Sequence, residues 1–523
     1  MTRPSARAPR RPPLARSRWR DFRGTLRPTG AVLVGVGLAQ AACAAVGAAF
    51  AYGTGAPERA GPSDLVGLAA GAALTGAIGA MLYLYGRRHA SESLGRREAL
   101  LTVALIWLIA GAGGAIPFLV SGVLGPIDAL FESVSGMTTT GATVIGDIDG
   151  ELVKGTLGRP GGLSMPVLLW RSLIQWLGGM GIVVLFVAIF PTVGAGAKHM
   201  FKGEVPGTSA EGLKPRIAET SFTLWKIYGA FTAALAGLLV LLGMSPFDAV
   251  CHALTTLSTG GFSTSDNSIA GFDSFAIELV IATFMYVGSV NYALYYALLR
   301  RRSLRALVGN TELRAFVAMC ALFVAALTAS NLERHGGDVI ESFRYAYFMV
   351  GTTMSSTGYG TDDYMAYSEP TLLLVVVMMF VGGCSGSTAG GIKVERVVLM
   401  AKMSWAELRA AFRPAVVHVI RMGRAAVAPE ILRDVAVFVG VYLGCLGLGV
   451  LFVTATDGVT IGTAFGATLS CLSNMGPAPW YASADNFVAY SPAAKLFFVF
   501  AMLLGRLEFF TLLALLVPDF WRR

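Results

Sequence analysis

Charge is scarce in this chain of 523 residues. Only 14% of its residues are charged, against about 25% in soluble globular proteins. Histidine is scarcer, with five in all, which leaves few bases for nucleophilic catalysis. The six cysteines, Cys43, Cys251, Cys320, Cys384, Cys445 and Cys471, fall in apolar or loop-forming segments without paired spacing. That argues against a disulfide framework or a zinc site and reads as small buried apolar residues. There is no Walker motif, Rossmann fingerprint or metal-ligand constellation. No A-x-A-like exit follows the first apolar run, so no cleavable signal peptide is expected.

What fills the space is apolar. The chain is 54% hydrophobic, and several runs exceed the roughly 18 residues of a membrane-spanning helix. Its 63 glycines suit helices that approach closely or leave the helix at membrane depth. The net charge of +9 is concentrated in the N-terminal tail, at Arg10, Arg11, Arg18, Arg20 and Arg27, where Asp21 is the lone acid. The remaining basic clusters lie at the ends of apolar runs. This is positive-inside topology, and no nucleic-acid partner is expected.

Two leading spans, Ala31–Tyr52 and Leu65–Tyr85, precede Arg87, Arg88, Arg96 and Arg97. A pattern of span, short apolar segment, Gly-containing loop and span then occurs four times. The first unit has the span 100–120, the segment 127–137, the loop Thr138-Thr139-Thr140-Gly141-Ala142-Thr143 and the span Val167–Phe190. In the second the spans are 222–242 and Ala276–Leu299, with the segment 246–257 and the loop Ser258-Thr259-Gly260-Gly261-Phe262-Ser263 between them. The third runs through 313–327, 340–354, Ser355-Ser356-Thr357-Gly358-Tyr359-Gly360 and Leu372–Met400. The fourth runs through 435–453, 461–472, Ser473-Asn474-Met475-Gly476-Pro477 and Ala494–Val517. The short segments are too short to cross a bilayer. They read as re-entrant helices whose loops line a cavity, where non-helical backbone is tolerated.

The connectors carry Lys198, Lys202, Lys214 and Arg216, then Arg300, Arg301, Arg302 and Arg305, then Lys402, Arg409, Arg413, Arg421, Arg424 and Arg433, and the chain ends in Arg522 and Arg523. All are expected on the cytoplasmic side with both termini, and all four loops then enter from outside. The expected fold is an all-α integral membrane protein of four pseudo-symmetric span–pore helix–span repeats around one pore, plus two leading transmembrane helices. The expected parts are a basic tail 1–29, leading helices 30–98, and repeats 99–221, 222–305, 306–431 and 432–523.

A cation entering hydrocarbon loses hydration worth on the order of tens of kcal/mol. Four loops about one axis restore it with rings of carbonyl oxygens. Glycine serves such loops because it accepts unusual φ/ψ. Ser356-Thr357-Gly358-Tyr359-Gly360 is close to the T-V-G-Y-G filter of potassium channels. The candidate filter is Thr139, Thr140 and Gly141; Thr259, Gly260 and Gly261; Ser356, Thr357 and Gly358; and Asn474, Met475 and Gly476. In the second loop either glycine is eligible as the key one, although Gly261 before Phe262 mimics Gly358 before Tyr359.

Several stretches now resemble one family: Trp170-Arg171-Ser172 through Gln175-Trp176-Leu177-Gly178-Gly179-Met180-Gly181, Pro215-Arg216-Ile217-Ala218-Glu219-Thr220, residues Gly382 to Lys393, and Gly505-Arg506-Leu507-Glu508. With the four loops, the chain resembles the Trk/Ktr/HKT superfamily of potassium transporters, in particular its TrkH branch. The two leading spans favour that branch over KtrB. A glycine in every loop is similar to the potassium-selective members; sodium-selective plant relatives put serine in the first loop. The resemblance implies potassium as the transported ion, a cytoplasmic-membrane location, a homodimer with a conduit in each chain, and a cytoplasmic TrkA-type nucleotide-binding subunit that gates it. The long basic tail departs from the family's compact start.

Gly382, Gly383, Gly386, Gly390 and Gly391 lie close together in the last expected span of the third repeat. Each glycine costs a helix about 1 kcal/mol relative to alanine. They read either as close packing through small residues or as a mobile intramembrane loop beneath the filter, with Lys393 at its cytoplasmic end. The family resemblance supports the loop. Arg506 sits in mid-span, where arginine costs at least about 3 kcal/mol. It reads either as half of an ion pair with another helix or as a conduit group that repels cations, and Glu508 is too near in sequence to face it on one helix. Arg171 and Glu278 are expected to be anchors at span edges.

Two other functions compete. Gly383-Cys384-Ser385-Gly386 fits an intramembrane protease pattern, but His89, His199, His335 and His418 fall in loops and His252 opens a short segment, so no enzyme is expected. A sodium- or proton-coupled secondary transporter also uses repeats and broken helices, usually inverted with a midplane site. The four units here run in one sense. No span carries the regularly spaced arginines of a voltage sensor.

Overall fold

The structure, a computed structural model, describes residues 22–88, 96–146, 162–181, 217–302, 305–413, 418–423, 425–480 and 486–522. The Arg-rich tail up to residue 21, the later part of the expected span Val167–Phe190, and the connector with Lys198, Lys202, Lys214 and Arg216 lie outside the described residues.

Helices α1 (Leu26–Gly53) and α2 (Pro62–Arg87) form a leading pair. They pack backbone to backbone, as glycine-lined membrane helices do. A side chain at Gly30 would overlap the Tyr83 amide, and one at Gly79 would lie 2.7 Å from the Val34 nitrogen. The first unit follows as α3 (Arg96–Val120), α4 (Pro126–Met137) and α5 (Met165–Gly179). The second is α6 (Ile217–Leu241), α7 (Pro246–Leu257), α8 (Phe275–Gly288) and α9 (Tyr292–Arg301). The third is α10 (Thr311–Ser330), α11 (Val339–Met354), α12 (Glu369–Phe380) and α13 (Val394–Phe412). The fourth is α14 (Pro429–Asp457), α15 (Ile461–Ser473), α16 (Pro492–Arg506) and α17 (Phe510–Leu516). A small antiparallel hairpin, Arg421–Met422 with Ala425–Ala426, precedes α14, with Arg421 opposite Ala426.

Among the described residues, six helices are long and apolar enough to cross a membrane, and eight are if each bent pair counts as one span. The six are the leading pair and the first helix of every unit. The fold is that of an all-α, multi-pass membrane protein. The short second helices α4, α7, α11 and α15 start where the sequence supplies a start signal. Proline occupies the first turn of α4 and α7, and the side chains of Ser245, Asp338 and Thr460 accept first-turn amides of α7, α11 and α15.

The last spans of the second, third and fourth units differ from the continuous helices expected. In the second unit α8 and α9 meet at 87°, and in the fourth α16 and α17 meet at 119°. Asn291 opens α9 by accepting the Ala293 amide at 2.8 Å, which restarts the helix in a new direction. Glu508 and Phe509 carry φ of 55° and 60°, two successive left-handed residues that no helix accommodates. In the third unit residues 381–393 separate α12 from α13 altogether. The breaks fall at matching places: Leu177-Gly178-Gly179, Val287-Gly288-Ser289, Val381-Gly382-Gly383 and Leu504-Gly505-Arg506.

All six cysteines are free, five of them buried and Cys445 half-buried. The largest apolar cluster, with Trp107, Phe118, Phe131, Trp170 and Phe487, packs behind the first and fourth loops.

Candidate ion-coordinating site

Each short helix runs into its loop through a non-glycine residue in the left-handed region: Thr139 at φ 54°, Thr259 at 55°, Ser356 at 57° and Asn474 at 53°. Such residues cost on the order of 1–3 kcal/mol and persist only where the surroundings impose them. Two residues later come Gly141, Gly261, Gly358 and Gly476, with φ of 79°, 78°, 85° and 99°. Thus Gly261, not Gly260, matches Gly358, and Gly260 takes the place of Thr357.

The four loops close a ring. A side chain at Gly141 would overlap the Gly260 carbonyl oxygen, one at Gly261 the Thr357 oxygen and one at Gly358 the Met475 oxygen. One at Gly476 would lie 2.8 Å from the Thr140 oxygen. The middle carbonyl oxygens therefore lie against the neighbouring loop; that of Gly260 accepts a 2.7 Å bond from Gln175 Nε2, and those of Thr140, Thr357 and Met475 accept none among the described residues. The carbonyls on either side, those of Thr139, Gly141, Thr259, Gly261, Ser356, Gly358, Asn474 and Gly476, accept no hydrogen bond among the described residues. Thr139, Thr259, Ser356 and Asn474 are 3% exposed or less. Unpaired buried carbonyls are rare in folded proteins, and here four occupy equivalent positions around one ring. The short helices end at this ring, so their C-terminal partial negative charge faces it.

Side chains brace the loops from behind. Tyr359 shares a 2.5 Å hydrogen bond with Thr255 Oγ1, tying the third loop to α7. Gln175 also accepts the Phe262 amide at 3.1 Å. Arg171 and Glu132 form an ion pair at 2.9 Å, and both are buried. Arg171 thus lies inside α5 and not at a span edge. Glu278 lies in the first turn of α8, at an edge as expected, and pairs with Arg344 of α11 at 2.6 Å. His252 lies within α7, not at its opening, and its Nε2 sits 3.0 Å from Ser263 Oγ. A general signal pointed to Arg171 and Gln175: polar groups within an apolar span rarely lack a task.

Beneath the ring, residues 381–393 form a stapled irregular loop. The Gly382 amide donates to the Ile392 oxygen at 2.9 Å, and the Ile392 amide to the Phe380 oxygen at 3.0 Å. The five glycines break the helix and also permit close contacts. A side chain at Gly382 would overlap the Gly390 oxygen, one at Gly390 the Ser473 oxygen, and one at Gly383 would lie 2.9 Å from the Ser289 oxygen. Gly386 and Gly391 have φ of 74° and 68°. The Gly390 amide donates to Ser356 Oγ at 2.6 Å, a direct link between loop and ring. Thr388 Oγ1 donates to the Leu257 oxygen at 3.1 Å, at the end of α7. Lys393 ends the loop, its Nζ on the Ala389 oxygen.

Arg506 reaches this loop from α16. Its Nη1 donates to the Thr388 oxygen at 2.8 Å, and its Nη2 to the Gly178 and Gly179 oxygens at 2.7 and 3.0 Å. It therefore joins the fourth repeat to the break of the first and to the loop of the third. Glu508 turns elsewhere, to Arg396 of α13 at 2.5 Å. Ser385 donates its hydroxyl to Glu395 at 3.0 Å and its amide to Glu312 at 2.6 Å. Among the described residues no histidine hydrogen-bonds Ser385, and His89 and His199 lie outside them.

A family model described as TrkH, cation transport protein, matches residues 68–522. The chain belongs to the TrkH family. That family consists of ion transporters and not enzymes. The Trk system potassium uptake protein TrkH of Escherichia coli (strain K12) is 39% identical over 451 residues, covering 85% of this chain and 90% of that protein. The protein of the same name from Halomonas elongata is 38% identical over 455 residues, covering 86% and 91%. The crystal structure of the potassium transporter TrkH from Vibrio parahaemolyticus superposes with a TM-score of 0.82 at 33% identity, covering 96% of this chain and all of that one. The TrkH fold thus extends over the leading pair and all four units.

Proposed function

We propose that this protein takes up potassium ions across the cytoplasmic membrane through the ring of four loops. The observation that carries the reading is the set of buried, unpartnered carbonyls at Thr139, Thr259, Ser356 and Asn474. A partly dehydrated cation is the partner they fit, because their neighbours are held too tightly to turn toward one another. The names of the relatives supply the ion: those from Escherichia coli and Halomonas elongata are potassium uptake proteins. The site comprises Thr139 to Gly141, Thr259 to Gly261, Ser356 to Gly358 and Asn474 to Gly476, with the domain boundaries given above.

The gate in this reading is the loop holding Gly382, Gly383, Gly386, Gly390, Gly391 and Lys393, together with Arg506. A fixed guanidinium below the ring opposes a cation: two unit charges about 6 Å apart repel by ~3 kcal/mol at an effective dielectric of about 20. Both termini lie in the cytoplasm, the protein works as a homodimer, and a TrkA-type nucleotide-binding subunit moves the loop from the cytoplasmic side.

The test is rubidium and sodium uptake by a potassium-transport-deficient bacterium carrying wild type or Gly358→Ser. Loss of potassium-like preference is expected. Identical preference in the two strains would remove the filter assignment.

A further inference from the structure

The Arg171–Glu132 pair calls for a reason. Bringing two charges into an apolar interior costs several kcal/mol per ion, and well-packed apolar replacements are often neutral or stabilising. Stability alone is thus a weak account of its presence behind the ring.

Its hydrogen bonds supply a better one. Glu132 Oε1 accepts from Arg171 Nε at 2.9 Å, and its two oxygens accept Thr143 Oγ1 at 3.0 Å each. Its Oε2 also accepts the Val144 amide at 3.0 Å. The carboxylate therefore holds the first loop just after Gly141. Arg171 Nη1 donates to the Ser263 oxygen at 3.2 Å, and its guanidinium stacks 4.2 Å over the Phe262 ring. Arg171 therefore holds the second loop just after Gly261. One ion pair spans both loops and sets their separation. His252 continues the chain of contacts from Ser263 into α7.

The four repeats make the comparison internally. Counted back from the loop glycine, the place of Glu132 is taken by His252, Met349 and Ala467. The place of Thr143 is taken by Ser263, Gly360 and Ala478. Polar bracing exists in the first two repeats and is absent from those positions in the last two.

We propose that Arg171 and Glu132 are positioning residues for ion preference: they fix the spacing between the first and second loops and thereby the fit of the ring to the ion. This rests on reading the ring as the filter. Neither side chain needs to touch the ion.

The test uses the full-length chain in a potassium-uptake-deficient bacterium, with rubidium-over-sodium uptake, membrane abundance and thermal unfolding of the purified protein measured together. Three variants are compared: Glu132→Gln, the apolar pair Glu132→Leu with Arg171→Met, and Gly358→Ser. Glu132→Gln is expected to lower the rubidium-over-sodium ratio at least about tenfold, a ~1.4 kcal/mol change. The apolar pair is expected to lose the preference while keeping abundance and unfolding temperature near wild type. A pair with only a structural role would give the reverse, with preference tracking the folded amount. Preference retained by the apolar pair but lost in Gly358→Ser overturns the positioning role alone. Preference retained by both overturns the filter reading with it.

Discussion

In the ring, Thr139, Thr259, Ser356 and Asn474 share φ values between 53° and 57°, although their side chains differ. At the helix breaks below, the matching residues are Gly179, Ser289, Gly383 and Arg506, and the backbone differs from repeat to repeat. One break bends by 87°, another by 119°, and a third opens into residues 381–393. The upper layer repeats its backbone and varies its side chains; the lower layer varies both. A spherical ion is best served by equivalent oxygens, so uniform backbone geometry suits coordination. A barrier needs only one obstacle, and a single arginine with a single loop suits that.

The sharpest way to break this comparison is to make one ring position unlike the others. A methyl at Gly261 would overlap the Thr357 carbonyl oxygen at a φ of 78°. Overpacking costs about 1–3 kcal/mol, and at the upper end that is a ~100-fold loss of uptake rate. Gly261→Ala is therefore expected to reduce rubidium uptake about a hundredfold at unchanged membrane abundance. Uptake within twofold of wild type would show that the ring does not need four equivalent turns.

The next test makes the lower layer more alike. Arg506→Gly gives the fourth break the residue that the first and third carry. Removing the fixed charge is expected to raise uptake at least about tenfold, the effect of relieving about half of the ~3 kcal/mol repulsion. Arg506→Lys keeps the charge but loses the three-carbonyl grip, and a rise smaller than that of the glycine variant is expected. Equal rates for glycine, lysine and wild type would assign Arg506 to packing alone.

A smaller effect belongs to the hydrogen bond that ties the third loop to residues 381–393. Ser356 Oγ accepts the Gly390 amide, whereas Thr139 Oγ1, at the equivalent ring position, has no hydrogen-bond partner among the described residues. A neutral hydrogen bond contributes about 1 kcal/mol. If residues 381–393 gate the ring as proposed, Ser356→Ala is thus expected to raise basal uptake about fivefold by loosening them. Thr139→Ala removes a side chain with no such tie, and its rate is expected to stay within about twofold. Both are read as initial rubidium uptake rates. Equal effects would mean that the layers are not coupled through Ser356.

The upper layer was legible in the sequence and the lower one largely was not. Short apolar segments followed by Thr-Gly in three loops and by Asn-Met-Gly in the fourth give the loops away, because hydropathy and glycine placement are both local signals. The choice between Gly260 and Gly261 needed the register of positive φ, which two adjacent glycines hide. The breaks near Gly288 and Arg506 lie inside apolar runs. Hydropathy continues through them while the backbone does not, because Asn291, Glu508 and Phe509 turn the chain through local geometry and contacts. Only the third break, with its five clustered glycines, announces itself in composition. Arg171 misled for a related reason. The span edge drawn from hydropathy passes close to it, whereas its surroundings come from Glu132 and from Ser263, far along the chain.

The smallest expected effect guards the comparison against a trivial explanation, namely that any damage near the ring changes ion preference. Lys495 of α16 and Asp128 in the first turn of α4 pair at 2.6 Å, with side chains 7% and 19% exposed. This pair joins the same two units as the 2.9 Å bond that Asn474 Nδ2 donates to Thr140 Oγ1, but at the opposite end of α4 from the ring. It braces α4 without touching a loop. Lys495→Met is expected to lower the unfolding temperature by a few degrees, corresponding to about 1 kcal/mol, with the rubidium-over-sodium ratio unchanged. If that ratio fell as far as in Glu132→Gln, ion preference would report on general rigidity of the short helices. Spacing between particular loops would then lose its standing as the cause, because Asp128 and Glu132 share one helix and differ in whether they reach the backbone beyond the loop glycine.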